Sequence, residues 1–345
     1  MAEAGCPAAR PLSDGAAPRG GIGRGAVVRG VVGIVVSVVA FVLVFRSVDP
    51  AATARVLGRA TPGWLTIVAG FLLIDLVVRA ARWRRLLAPV QDVSFGATFA
   101  YLLIGYLANN VLPARLGELV RSHYLGDREG MSRATALGTV VVERIVDVAV
   151  VVAIAAAAIL VLSVRGIVAS AVLIGVAIVG LLIVGLGIGV AAHRIPGAAR
   201  IAAYADRWPR VRELATRLQQ GLAVAGDART LSAALALSAV AWGATLLAFA
   251  AGGQAVGIEL TIGQAGLLAS GTALASAIPS GPASLGTFEL AAVRIAGALG
   301  VAAEPAFALA LLVHAAILVI TSVGGVIALV RIGWRQTTER VAPQA

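Results

Sequence analysis

Long apolar runs separated by short polar joints dominate the chain. Residues 26–46, 62–79, 134–163, 166–191, 231–253 and 305–330 each form a block long enough to cross a bilayer as a helix, which takes about 20 predominantly apolar residues. Two further runs, 95–112 and 264–278, behave differently: each ends at a proline followed by polar, glycine-containing sequence. Their uninterrupted apolar stretch is about 14–15 residues, a helix of roughly 21–23 Å against a hydrocarbon core of ~30 Å. The pattern predicts six spans and leaves these two runs to be decided.

Arginine placement decides them. If both short runs cross, the arginines outside the spans divide 12 and 12 between the two sides, with the seven-arginine segment 192–230 exported. If both turn back to the side they entered from, the division becomes 20 inside and four outside. The positive-inside rule favours the second. The expected fold is therefore an all-α polytopic membrane protein with about six full transmembrane helices and two inverted re-entrant broken helices; eight conventional spans is the alternative. Both termini are expected in the cytoplasm and the chain in the cell membrane. Residues 1–25, rich in Gly, Pro, Ala and Arg without apolar periodicity, are expected to be a disordered tail. Residues 26–330 form the transmembrane domain and 331–345 a C-terminal tail. Within 192–230, Val211, Leu214, Leu218 and Leu222 recur at helical spacing with Arg210, Arg212 and Arg217 between them, the pattern of a basic amphipathic helix at an anionic leaflet.

Composition narrows the chemistry. Of 345 residues, 59% are hydrophobic and 13% charged, whereas soluble domains run at about 45–50% and about 25%. All 28 basic residues are arginine, which excludes a P-loop lysine, a lysine Schiff base and a lysine general base. The single cysteine, Cys6, forbids an internal disulfide or a thiolate cluster, and the three histidines are far apart in sequence. No metal and no cofactor are expected. In a membrane chain a net charge of +11 reports topology and contact with anionic lipid rather than nucleic acid.

The two short runs end alike. Pro113-Ala114-Arg115-Leu116-Gly117 leads to Glu118, and Pro282-Ala283-Ser284-Leu285-Gly286 leads to Glu289; an arginine follows each, Arg121 or Arg294. Paired, inverted, Gly/Pro-interrupted segments are the pattern of transporters that bind substrate near the midplane. Non-helical backbone at that depth must face protein or a water-filled cavity, and Asn109 and Asn110, just before the first break, can bond freed backbone groups or a lipid headgroup. Glu143, Arg144 and Asp147 lie ten to fourteen residues into the block 134–163, where each charge costs at least about 2.5–3.5 kcal/mol unless paired or hydrated. An Arg144–Asp147 bridge one turn apart is the bland alternative to a hydrated pathway. Asp75, Arg79 and Arg82 share a helical face, but the run Arg79, Arg82, Arg84, Arg85 reads as an interfacial boundary binding lipid phosphates. His314, alone in an apolar helix, reads as an interhelical hydrogen-bonder before a proton carrier.

The motifs RAARWRRLL, NNVLPARLGELVR, ERIVD and SGPASLGTFE resemble, in order and spacing, the transmembrane domain of lysylphosphatidylglycerol synthases, which also occurs alone as flippase-like membrane proteins. The resemblance spans roughly residues 30–330. It implies movement of a lipid headgroup between leaflets and points to Asn110, Pro113, Arg115, Gly117, Glu118, Arg121, Glu143, Arg144, Asp147, Gly286 and Glu289. The second break departs from the family, which often has a Gly-Gly pair after the proline. The chain has no room for the soluble aminoacyl-transfer domain, so it is expected to be no enzyme of lipid synthesis. The leading expectation is a lipid flippase with membrane lipids as partners; the alternative is a lipid-binding accessory subunit of a lipid- or glycan-modifying enzyme. Ser270 with His314 is the pairing that a hydrolase would need, but LASG lacks the leading glycine of a GxSG turn.

Overall fold

The computed structural model describes residues 24–112, 116–191, 208–278 and 280–341. The expectations for Pro113, Arg115, the tail 1–23, segment 192–207 and residues 342–345 lie outside them. The described residues are mostly helical, joined by short turns, with no strand among them. Five helices are long and apolar enough to cross a membrane: α3 (Pro62–Leu87), α6 (Arg133–Leu162), α7 (Ile167–Ala191), α9 (Ala228–Ala255) and α12 (Ala303–Val341). α1 (Arg24–Phe45) and α2 (Pro50–Gly58) are together apolar and long enough for a sixth crossing, and are bent by 84° at the break between them. Asp49 starts α2 by accepting a hydrogen bond from the Ala51 amide at 2.8 Å. These are the six predicted blocks. Much of the outer surface is apolar, as on Leu173 and Leu181 of α7, 69% and 73% exposed, which suits lipid and not water.

The helix ends define two faces. The Thr61 amide donates to the Ala255 carbonyl at 3.1 Å, so α3 begins where α9 ends. Gly263 packs on Leu162, so α6 also ends on this second face, and α10 (Ile262–Ser276) starts there. The opposite, first face holds the end of α3 and the starts of α6 and α9.

Both short runs fold back. From the first face α4 (Phe95–Val111) runs 17 residues, about 26 Å, and α5 (Gly117–Glu129) returns along it. The Tyr101 hydroxyl bonds Glu129 Oε1 at 2.7 Å near the base of the hairpin. Near the tip Asn109 Oδ1 accepts from the Gly117 amide at 2.7 Å. Glycine is needed there: a Cβ on Gly117 would sit 2.0 Å from the Gly105 carbonyl oxygen. From the second face α10 runs 15 residues, the chain turns through a 3-10 turn at Pro282–Ser284, and α11 (Thr287–Ala298) returns. Gly271 of α10 lies against Ile295 of α11. Neither run is among the helices long and apolar enough to cross a membrane, and each packs back along itself as a hairpin.

The two tips converge on α12 from opposite ends. Asn110 Nδ2 donates to Thr321 Oγ1 at 2.9 Å and to Ser322 Oγ at 3.0 Å, while His314 reaches the Ala283 carbonyl at 3.0 Å. Residues 314 and 321 are two turns, about 10 Å, apart, near the middle of the apolar part of α12. The Pro282–Ser284 turn also packs directly on α4. α1 closes the second tip, with Ser37 Oγ accepting from the Gly281 amide at 2.9 Å.

The basic amphipathic helix exists as α8 (Pro209–Leu222). It docks on the first-face end of α6, where Gly221 and Gly138 let the backbones touch. Leu218 and Leu222 are half-buried in this contact, whereas Leu214, Arg212 and Arg217 are exposed. α12 continues to Val341, past the expected domain boundary at 330.

Candidate functional site

Where α3, α5, α6 and α9 meet, four arginines face four carboxylates. On α3, Asp75, Arg79 and Arg82 are spaced four and three apart and so share one face. Arg79 Nε donates to Asp75 at 2.8 Å and its Nη1 lies 3.3 Å from Asp147 of α6. Arg82 donates from Nη1 and Nη2 to the two oxygens of Asp147, and from Nη2 to Glu143 at 2.9 Å. α9 completes the shell: Ser238 accepts from Arg82 at 2.7 Å, Trp242 Nε1 donates to Asp147 at 3.0 Å and the Thr245 hydroxyl to Asp75 at 3.2 Å. Arg121 of α5 reaches Glu143 Oε2 at 3.0 Å and Arg144 of α6 reaches Glu118 of α5 at 2.6 Å. Arg79 and Arg121 lie 4.7 and 4.6 Å over the rings of Trp242 and Trp83, contacts that favour a desolvated guanidinium. With four charges of each sign the cluster is neutral, which makes its burial tolerable at membrane depth.

Three expectations are corrected here. Arg79 and Arg82 are not at an interface: they are 7% and 0% exposed, because the face carrying Asp75 turns toward α6 and α9. Arg84 and Arg85 lie on the other side and are exposed, with Arg84 bonded to the Val93 carbonyl at 2.9 Å. Nor do Arg144 and Asp147 pair within α6; Arg144 turns to α5 and Asp147 to α3. Arg294 is also outside the site. Five positions beyond Glu289, it emerges on the opposite side of α11 and is exposed.

Beside the cluster a cleft of ≈ 10 Å³, room for about one water, is lined by Gly105, Tyr106, Asn109, Gly117, Glu118, Arg121 and Arg144 among others. Among the described residues Arg82 Nε, Arg121 Nη2, Arg144 Nε and Glu143 Oε2 are buried without a hydrogen-bond partner, and Arg121 Nη1 meets Glu143 Oε2 at ion-pair distance but without hydrogen-bond geometry. A buried donor left unmade costs about 1–3 kcal/mol, more when charged. These groups are short of partners, and the cleft as it stands holds about one water.

The second hairpin has one polar centre. Glu289 Oε2 accepts from the Gly286 amide at 2.7 Å, capping α11, and Oε1 meets His314 Nδ1 at 2.6 Å. The imidazole stacks on Phe288 at 4.2 Å between centroids. His314 is thus an interhelical hydrogen-bonder. The Ser270 hydroxyl is spent on the Gly266 carbonyl at 2.6 Å.

Sequence reasoning missed Ser238, Trp242, Thr245, Tyr106 and Trp83. The first three were accessible as polar positions four and three apart in an apolar block.

This architecture defines a multi-pass helical membrane protein built around two inverted re-entrant hairpins. Residues 30–325 match the family described as the lysylphosphatidylglycerol synthase TM region, and the chain belongs to that family. It is 27% identical over 118 residues to the glycosyltransferase AglD of Haloferax volcanii, covering 34% of this chain and 19% of that protein. It is 29% identical over 99 residues to a UPF0104 membrane protein of Methanocaldococcus jannaschii, covering 28% of this chain and 30% of that protein. The matched stretches thus span less than a third of either relative. A lipid-related membrane protein is the class these likenesses define.

Proposed function

We propose that the protein carries a phosphate-bearing lipid headgroup between leaflets, with the cleft at the first hairpin as the headgroup site. The observation that carries this reading is the pair of buried, unspent guanidinium donors, Arg121 Nη2 and Arg144 Nε, beside the narrow cleft between α4 and α5, which must widen to admit a phosphate. A phosphate oxygen offers each an acceptor, and the neutral cluster behind them holds both side chains in place. Acyl chains that stay in the bilayer throughout avoid exposing apolar area to water. The inverted hairpins supply two broken segments at one depth, one opening toward each face, as alternating access between faces requires. By the arginine distribution the first face is cytoplasmic, both termini lie there, and the host is the cell membrane.

The test is reconstitution into liposomes carrying NBD-labelled phosphatidylglycerol in the inner leaflet, followed by dithionite quenching. The wild type is expected to accelerate exposure of the label, and Arg121→Gln to abolish the acceleration. An unchanged rate with purified, folded protein defeats the proposal.

The shared stretch with a glycosyltransferase favours a second reading, in which the same cleft presents a lipid-linked phosphate to a membrane enzyme. Co-purification of such an enzyme, with no lipid movement in liposomes, separates it from the first.

A further inference from the structure

The polar chemistry of the second hairpin is unused by the reading above. His314 has an acceptor at each ring nitrogen: Glu289 Oε1 lies 2.6 Å from Nδ1 and the Ala283 carbonyl oxygen 3.0 Å from Nε2. A carbonyl has no proton to give, so Nε2 must carry the hydrogen of that bond. A second proton must lie between Nδ1 and Oε1, because two bare lone pairs would repel at that separation. The other carboxyl oxygen already accepts from the Gly286 amide. The pair therefore holds two protons and is neutral, either as imidazole with carboxylic acid or as imidazolium with carboxylate. Its members are 5% and 1% exposed.

Removing one proton leaves one N–H for two acceptors. The carboxylate is the stronger acceptor, so the hydrogen goes to Nδ1, and Nε2 then faces the Ala283 carbonyl lone pair to lone pair. That contact must open. It is also the bond that ties the hairpin tip to α12 at Ala283, a residue at φ +57°, a backbone conformation that a side chain strains. Proton occupancy and the position of the tip are thus linked by one imidazole.

Other charged groups stand apart from the pair. Among the described residues of the helices packed on α12, Asp75 and Arg79 of α3 bond each other and α6 and α9. Tyr101 of α4 bonds Glu129, and Tyr106 lines the first cleft. Arg55 of α2, Arg229 of α9 and Arg294 of α11 are exposed. α1 brings the Ser37 hydroxyl to the same tip.

We propose that Glu289 and His314 form a proton-binding site whose loading holds the second hairpin tip on α12 and whose unloading releases it, making the proton the ion coupled to lipid movement. The proton is exchanged with water and needs no co-reactant. The coupling clause rests on the translocation reading; the site does not.

A His123→Gln/His193→Gln variant leaves His314 as the one histidine of the three. With this variant ¹⁵N-labelled at histidine in phosphatidylcholine bilayers, solid-state NMR is expected to show both ring nitrogens shifting together when the pair loses its second proton on raising the pH. The shift should disappear on adding Glu289→Gln, whose amide can donate to Nδ1 but cannot ionise. A ring that keeps one protonation pattern throughout overturns the proposal, whatever the lipid assay gives. In liposomes with trapped pyranine, an imposed pH gradient is expected to change the rate of NBD-phosphatidylglycerol movement several-fold, with proton flux alongside. Lipid movement indifferent to the gradient overturns the coupling alone. No lipid movement at all defeats the translocation reading, and the NMR titration then decides the site.

Discussion

Arg82 of α3 holds both oxygens of Asp147 of α6 with its two terminal nitrogens, and no part of the Arg82 side chain reaches solvent. Nη2 also bonds Glu143. Taking away one member of a buried pair leaves an uncompensated charge, which costs about 3–5 kcal/mol. Arg82→Gln is therefore expected to lower the thermal unfolding midpoint in lipid nanodiscs severely. Arg82→Gln combined with Glu143→Gln restores neutrality and should recover part of that loss. A double variant no better than the single would show that shape, and not charge balance, is what the cluster supplies.

The first hairpin depends on backbone contact. A Cβ on Gly117 would meet Gly105 O at 2.0 Å and Asn109 Oδ1 at 2.6 Å, and backbone cannot move aside as a flexible side chain can. Gly117→Ala is expected to cost at least the roughly 1–3 kcal/mol of ordinary overpacking and to separate the helices. Loss of a disulfide engineered between the arms α4 and α5 would report the separation. Gly243, within α9, has nothing within 4 Å of the place a methyl group would take, so Gly243→Ala should be neutral or stabilising by about 0.5–1 kcal/mol.

Much of this fold was legible because two independent quantities agreed. Apolar length left 95–112 and 264–278 short for a crossing, and arginine counting favoured the return of both. The fate of Arg79 and Arg82 was not legible. A run such as RAARWRR at the end of an apolar block resembles a membrane boundary, and the alternation that sends Arg82 inward and Arg84 outward depends on which face of α3 is covered. The covering residues, Asp147 and Ser238, lie 65 and 156 positions away, and nothing local announces them. Likewise His314 looked solitary because its partners, Glu289 and Ala283, arrive through a turn whose path the sequence does not dictate.

That turn makes its own prediction. Ala283 and Ser284 both sit at φ +57°, the positions after Pro282 where the resemblance leads one to expect glycines. Each non-glycine residue there costs roughly 1–2 kcal/mol. Ala283→Gly and Ser284→Gly are each expected to raise the unfolding midpoint, and a drop in both would mean that the side chains contribute packing worth more than the strain.

Acid stability should reflect two carboxylates at the first face. The hydrogen bond from the Thr230 hydroxyl holds the Asp227 carboxyl below the usual carboxylate range, and that from Arg133 does the same for Asp127. A group whose folded value is depressed stabilises the protein above its ordinary value of about 3.9, and this contribution fades as pH falls through the folded value. Both residues are solvent-facing, so the effect is modest and screened by salt. A double Asp127→Asn/Asp227→Asn variant should show a flatter dependence of unfolding temperature on pH from about pH 5 down to about pH 3.

The anion site can be tested without any transport. If Arg121 and Arg144 await phosphate oxygens, a phosphate-bearing lipid binds the folded protein and stabilises it, by about 2.7 kcal/mol at a concentration a hundred times its Kd. Phosphatidylglycerol should therefore raise the unfolding temperature in detergent, whereas diacylglycerol, which keeps the chains and lacks the phosphate, should not. Arg121→Gln removes the buried donors at Nη1 and Nη2 and should abolish the difference between the two lipids. Arg121→Lys keeps the charge but loses the planar fork that meets two oxygens together, so an intermediate response is expected. Equal stabilisation by both lipids in the wild type would show that acyl chains alone are recognised, and would sink the assignment of the cleft to the headgroup.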